Sequence, residues 1–137
     1  MKIMSVDYGD MRTGIAVSDA GEFLASPVTV IKEPYAPKLA EKICRLVGET
    51  QAGKIILGLP RNMDGSEGFR AEKCREFAQL LRESCGIDVE LVDERLTTVE
   101  AHKALNFTDT RGKKRKEIVD AVSAVFILQS YLDRKKK

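Results

Sequence analysis

Lys54-Ile55-Ile56-Leu57-Gly58-Leu59 constrains the fold more than any other stretch, because it offers water no polar face and Pro60 stops it abruptly. A half-exposed strand alternates polar and apolar residues, whereas a short, continuous apolar run is the pattern of a parallel strand buried on both sides. Such a strand needs helices above and below its sheet. The flanking sequence supplies them. Pro37 suits a first helical turn, and Leu39, Ile43, Leu46 and Val47 recur at helical spacing, predicting a helix over Pro37 to Glu49. After the loop Arg61 to Gly68, Cys74, Phe77, Ala78 and Leu81 mark the apolar face of a second helix, with Gly86 placed to cap it in the left-handed region.

Lys2 to Val6, Thr13 to Ser18 and Phe23 to Ile31 read as three strands of an antiparallel meander, the first two joined by the turn at Gly9. Val89 to Val92 is a fifth strand. Thr97-x-x-Glu100 matches a capping box, so a third helix is expected just after Glu94. Asn106 to Lys116 is charged and aperiodic and reads as a loop. Glu117 to about Arg134 is a closing helix, apolar around most of its circumference. The whole is an α/β chain with a mixed sheet flanked by helices. At 137 residues and 43% hydrophobic content it is sized for a single domain, residues 1–137.

Three acids sit where this pattern presents side chains at the ends of elements. Asp7 ends the first apolar run just before the glycine turn, Glu94 follows Val89 to Asp93, and Asp120 lies among Ile118, Val119, Ala121, Val122, Ala124 and Val125. Each also has a bland role: Asp7 bonding its own turn, Glu94 pairing with Arg95 or a helix dipole, and Asp120 favouring the start of its helix. An unpaired charge among apolar residues is expensive, however, and three carboxylates from separate elements suit Mg²⁺ or Mn²⁺, which prefer hard oxygen ligands. Metal ions in such a site take over much of the work that histidine does elsewhere in hydrolysis. His102 is the only histidine, and no Gly-x-Ser-x-Gly elbow accompanies it, which argues against a nucleophilic triad. Gly48 to Lys54 imitates a phosphate loop, but Ile55 stands where serine or threonine belongs and the segment leads into a strand.

The net charge of +2 is small, yet Arg111 to Lys116 reads Arg-Gly-Lys-Lys-Arg-Lys and the chain ends in Arg134 to Lys137. Basic segments near a carboxylate site fit a nucleic-acid partner, whose phosphates cations hold. No window approaches the roughly 20 apolar residues of a membrane span, and the first residues lead into a strand pattern instead of a secretory signal. A soluble cytoplasmic protein with no membrane partner is expected. Cys44, Cys74 and Cys85 are odd in number and lack Cys-x-x-Cys spacing, so reduced, structural thiols are expected. Oligomeric state stays open between monomer and weak dimer.

Four blocks resemble the YqgF family, also called RuvX, of pre-16S rRNA nucleases and Holliday junction resolvase-like proteins. They are Asp7 to Asp19, Gly58 to Gly68, Asp93 to Ala101 and Asp120 to Ala124, in family order over nearly the whole chain. Ser123 stands where many members have alanine. The resemblance implies an RNase H-like fold, with three antiparallel strands followed by two parallel ones and helices on both faces. It implies a metal-dependent nuclease with Asp7, Glu94 and Asp120 as catalytic metal ligands and Asp93 as their neighbour. Arg61, Asn62 and Ser66, in the second block, would contact substrate; beside what the resemblance implies, Arg12 is a further substrate-binding candidate, and the charge of the basic segment marks Lys113, Lys114 and Arg115 to hold the backbone. Maturation of the 5′ end of pre-16S ribosomal RNA is the implied role. Resolution of branched DNA, or a non-catalytic role in ribosome assembly, are the alternatives.

Overall fold

In the computed structural model the described residues are 1–60, 68–93 and 112–135, the backbone alone for 112–121. Along the chain come β1 (Lys2–Asp7), β2 (Thr13–Ser18), β3 (Ala25–Ile31), α1 (Ala36–Thr50), β4 (Ala52–Leu59), α2 (Phe69–Cys85), β5 (Asp88–Asp93) and α3 (Gly112–Lys135). The strands form one sheet in the order β3-β2-β1-β4-β5. β1 pairs antiparallel with β2, and β2 with β3, while β4 runs parallel to both β1 and β5. This is the RNase H-like mixed sheet that the sequence implied.

The apolar run in β4 is covered on both sides, as its lack of a polar face requires. Ile55, Leu57 and Leu59 pack with Leu39, Ile43, Phe77 and Leu81 of α1 and α2 on one face. Ile56 points the other way, into Ala124, Ile127 and Leu128 of α3. Burying each large aliphatic side chain stabilises the fold by about 1.5–3 kcal/mol, so removing either helical layer would strip one face of the sheet. Ser123 is 3% exposed, and its small side chain is compatible with close packing there.

Local chemistry sets the element ends. Gly86 adopts φ 70° and donates its N–H to the carbonyl of Arg82 at 3.0 Å, the expected left-handed cap of α2. α1 carries Pro37 in its first turn and ends on Gln51, also left-handed. The imitation phosphate loop is dismantled: Gly48 lies in α1 and Gly53 in β4, so no strand-to-helix turn gathers its amides. Pro27 lies on β3, an edge strand, beside a register shift between Ile15 and Ala16 of β2.

Three expectations are corrected. β3 begins at Ala25 and not Phe23, because the Asp19 carboxylate accepts the N–H groups of Phe23 and Leu24 at 2.8 and 2.9 Å and holds both in the turn. α3 begins at Gly112 and not Glu117, so Lys113 to Lys116, expected in a loop, are helical. Unbranched Lys and Arg side chains are good helix formers, and no proline interrupts them. Finally, Cys44 and Cys85 form a disulfide, with Cα atoms 5.1 Å apart. The 41-residue separation hides that α1 and α2 lie side by side. Cys74 is buried and not disulfide-bonded. The helix expected after Glu94 falls outside the described residues.

Candidate active site

β1 alternates between the two layers, and that alternation aims Asp7. Met4 and Val6 belong to the core under α1 and α2, whereas Ile3 belongs to the core under α3 and the Ser5 hydroxyl donates to the carbonyl of Ala124 on α3 at 2.6 Å. Two residues further, Asp7 shares the face of Ile3 and Ser5. It is half-buried at the end of the strand, paired in register with Gly14.

α3 runs antiparallel to β1. Its last turns reach the other end of the sheet, where Tyr131 meets Lys54 and Lys135 meets Glu22. From Ala124 above Ser5, one helical turn back toward the start of α3 is residue 120, a rise of about 6 Å. From Ser5 to Asp7 along the strand is about the same distance. The backbone of residue 120 therefore lies one turn from Ala124 toward the end of the sheet at which β1 presents Asp7, although the Asp120 side chain is outside the described residues.

The neighbouring strands leave room at this level. Val6 pairs with Leu57, so the next residue of β4, Gly58, lies beside Asp7, and Gly58 in turn pairs with Val92 of β5. By alternation with Ile56, Gly58 faces α3 and contributes no side chain there. Asp93 ends β5 two strand spacings from β1, about 10 Å away. It alternates with Val89 and Leu91, which pack on the α1 and α2 side, so Asp93 belongs to the face opposite Asp7.

The turn after Asp7 is tightly built. A Cβ on Gly9 would collide with the carbonyl oxygen of Arg12, so this position requires glycine. Gly9 donates its N–H to the Thr13 hydroxyl at 3.4 Å. Tyr8 stacks on Phe77, with ring centroids 4.2 Å apart and planes 7° from parallel, and burial is the main reason its phenol pKa is raised. Arg70, in the first turn of α2, donates to the Tyr8 carbonyl at 3.2 Å and to Asp10 at 3.3 Å. Lys73 reaches Asp10 at 3.7 Å.

Of the residues singled out from the sequence, Asp7 and Arg12 are described in full, both at this turn. Lys113, Lys114, Arg115 and Asp120 lie on α3 as backbone, and Arg61, Asn62, Ser66 and Glu94 lie outside the described residues. Among the described residues no three acidic, histidine or cysteine side chains are grouped to hold a metal. Asp7 supplies one hard oxygen donor of the kind a hard cation takes. Sequence reasoning missed Ser5, Tyr8, Asp10, Arg70 and Lys73. Ser5 carried a signal, a hydroxyl inside the apolar run that leads to Asp7; Arg70 and Lys73 look like any exposed helical cations until α2 is docked.

The family described as RuvX, Holliday junction resolvase, matches residues 1–134. A relative from Natranaerobius thermophilus named "Putative pre-16S rRNA nuclease" is 43% identical over 134 residues, covering 98% of this chain and 95% of its own. One of the same name from Thermoanaerobacter pseudethanolicus is 43% identical over 137 residues, with 99% of each chain covered. Among solved structures, Thermus thermophilus RuvC in complex with Holliday junction substrate aligns with a TM-score of 0.63 at 10% identity, over 100% of this chain and 97% of that one. That likeness shows the fold. The sequence match extends over nearly every residue, and the chain belongs to the RuvX family.

Proposed function

We propose that this chain, acting as a single domain in the cytoplasm, is a metal-dependent nuclease that hydrolyses phosphodiester bonds at the 5′ end of pre-16S ribosomal RNA. Asp7, Glu94 and Asp120 hold Mg²⁺ or Mn²⁺, which when bound activates water and stabilises charge on the phosphate oxygens. The protein's part is to hold anionic oxygens in fixed positions. β1 presents Asp7, and the 2.6 Å bond from Ser5 to Ala124 fixes how far α3 is slid along it. That bond, which anchors α3 over the strand presenting Asp7, is the observation that carries the proposal.

Relatives named for pre-16S rRNA favour RNA as the substrate. A second reading, resolution of four-way DNA junctions, is favoured by the family's description as a Holliday junction resolvase. In either case Arg12, Arg61, Asn62 and Ser66 line the substrate beside the acids, and Lys113, Lys114 and Arg115 hold its backbone.

The purified protein should cleave a labelled pre-16S 5′ fragment in Mn²⁺, and Asp7→Asn should lower the rate while leaving the melting temperature unchanged. Preferential cleavage of a four-way junction would select the second reading. Asp7→Asn cleaving at the parental rate would defeat both.

A further inference from the structure

Phe69 is 70% exposed at the first residue of α2, and Met11, at the tip of the Asp7 turn, is 63% exposed. A single exposed apolar residue is ordinary. Phe69, however, carries cationic company: the Lys73 ammonium lies 4.9 Å from its ring centroid. Arg70, its immediate neighbour, bonds the carbonyl of Tyr8, the residue that follows Asp7. An open aromatic face and two cations are thus held against the turn that follows Asp7.

We propose that Phe69 and Lys73 form a seat for an unpaired nucleobase flanking the cleaved phosphodiester, with Arg70 and Lys73 taking the adjoining phosphate; this deepens the nuclease reading and rests on it. Every base has a π-face that stacks on an aromatic ring, and the phosphates beside it require positive charge. In the free protein Asp10 occupies those cations at 3.3 and 3.7 Å. All three side chains are well exposed, so these ion pairs are weak and a phosphate can displace the carboxylate. Duplexed bases are already stacked on one another, so the seat favours single-stranded or frayed substrate.

The test is fluorescence anisotropy of the full chain with a labelled single-stranded RNA oligonucleotide and with its matched duplex, in Ca²⁺ to separate binding from cleavage. Phe69→Ala should weaken single-strand binding ~10-fold, as expected for losing one stacked base, and leave the duplex within ~2-fold. Phe69→Trp should retain the parental affinity, and Lys73→Ala should flatten the salt dependence. The exposure of Phe69 makes a folding defect unexpected, and thermal melting checks this. Equal affinities for parent and Phe69→Ala, or equal losses on single strand and duplex, would overturn the seat while the parent's cleavage of RNA keeps the nuclease reading. A parent that neither binds nor cleaves any oligonucleotide would remove both.

Discussion

The two faces of the sheet are held by different means. On one side α1 and α2 cover a larger apolar core that includes Met4, Val6, Leu39, Ile43, Phe77 and Leu81, and a disulfide joins the helices to each other. On the other, α3 covers a smaller apolar cluster and is fastened by directional polar contacts. Ser5 bonds the Ala124 carbonyl, Gln129 accepts the Ala25 N–H and donates to the Phe23 carbonyl, and Lys54 bonds Tyr131. Apolar packing resists separation but discriminates weakly between neighbouring positions along a helix, whereas a buried hydrogen bond is lost after a slide of an ångström or two. α2 is pinned as well, by Arg82 on the Val89 carbonyl at 2.7 Å and Arg70 on the Tyr8 carbonyl, but among the described residues the fully buried helix-to-sheet bond is that of Ser5 to Ala124, on the side that Asp7 faces.

Substitutions on the two sides should therefore fail differently. The largest effect is expected from Asp7→Asn, about a thousandfold in cleavage rate, equivalent to the loss of about 4 kcal/mol of metal-mediated charge stabilisation, with stability unchanged. Single-turnover kinetics alongside melting would check it. On the opposite face, reducing Cys44–Cys85 or replacing both cysteines with serine frees a span of 41 residues and should cost about 2–4 kcal/mol in urea unfolding. Cleavage by the folded fraction should persist, since that bridge is remote from the register of α3.

Ser5→Ala should reverse this pattern. Losing one buried hydrogen bond costs only ~1 kcal/mol, yet cleavage should fall by more than the unfolded fraction explains, because α3 is freed to shift against β1. If activity simply tracks stability, the two faces do not differ as described. The smallest effect concerns Lys54, whose pKa is raised chiefly by its hydrogen bond to Glu90 and then by that to Tyr131. A raised native pKa means the contribution is complete below the ordinary lysine value of about 10.4 and fades as pH climbs through the native one. Stability should drop on strong alkalinisation, and Lys54→Met should remove under about 1 kcal/mol of that drop in pH-dependent melts.

Much of the sheet was legible because its signals are local. The bare apolar run of β4, the alternation around Asp7, Pro37 and the Gly86 cap each act within a few residues. Two boundaries and the cysteine pairing were not. Phe23 and Leu24 have strand-forming side chains, but Asp19 claims their N–H groups; the basic residues of α3 resemble a loop by charge and a helix by propensity. The cysteine pairing depended on which helices become neighbours, and no spacing encodes that. The site divides in the same way. Asp7 was readable from its own strand and turn, whereas Arg70 and Lys73 gain meaning only when α2 brings them to the Asp7 turn from some sixty positions away.

Pro27 bears on how these molecules behave in company. β3 is an outermost strand, where a row of main-chain donors and acceptors can template the addition of another chain. Proline lacks an amide hydrogen, and next to it Val28 of β3 is extra against Ile15 and Ala16 of β2, which bends the ladder at the same level. Ribbon-like growth from copy to copy is interrupted at this margin, so concentrated preparations have one fewer route to fibrous aggregation.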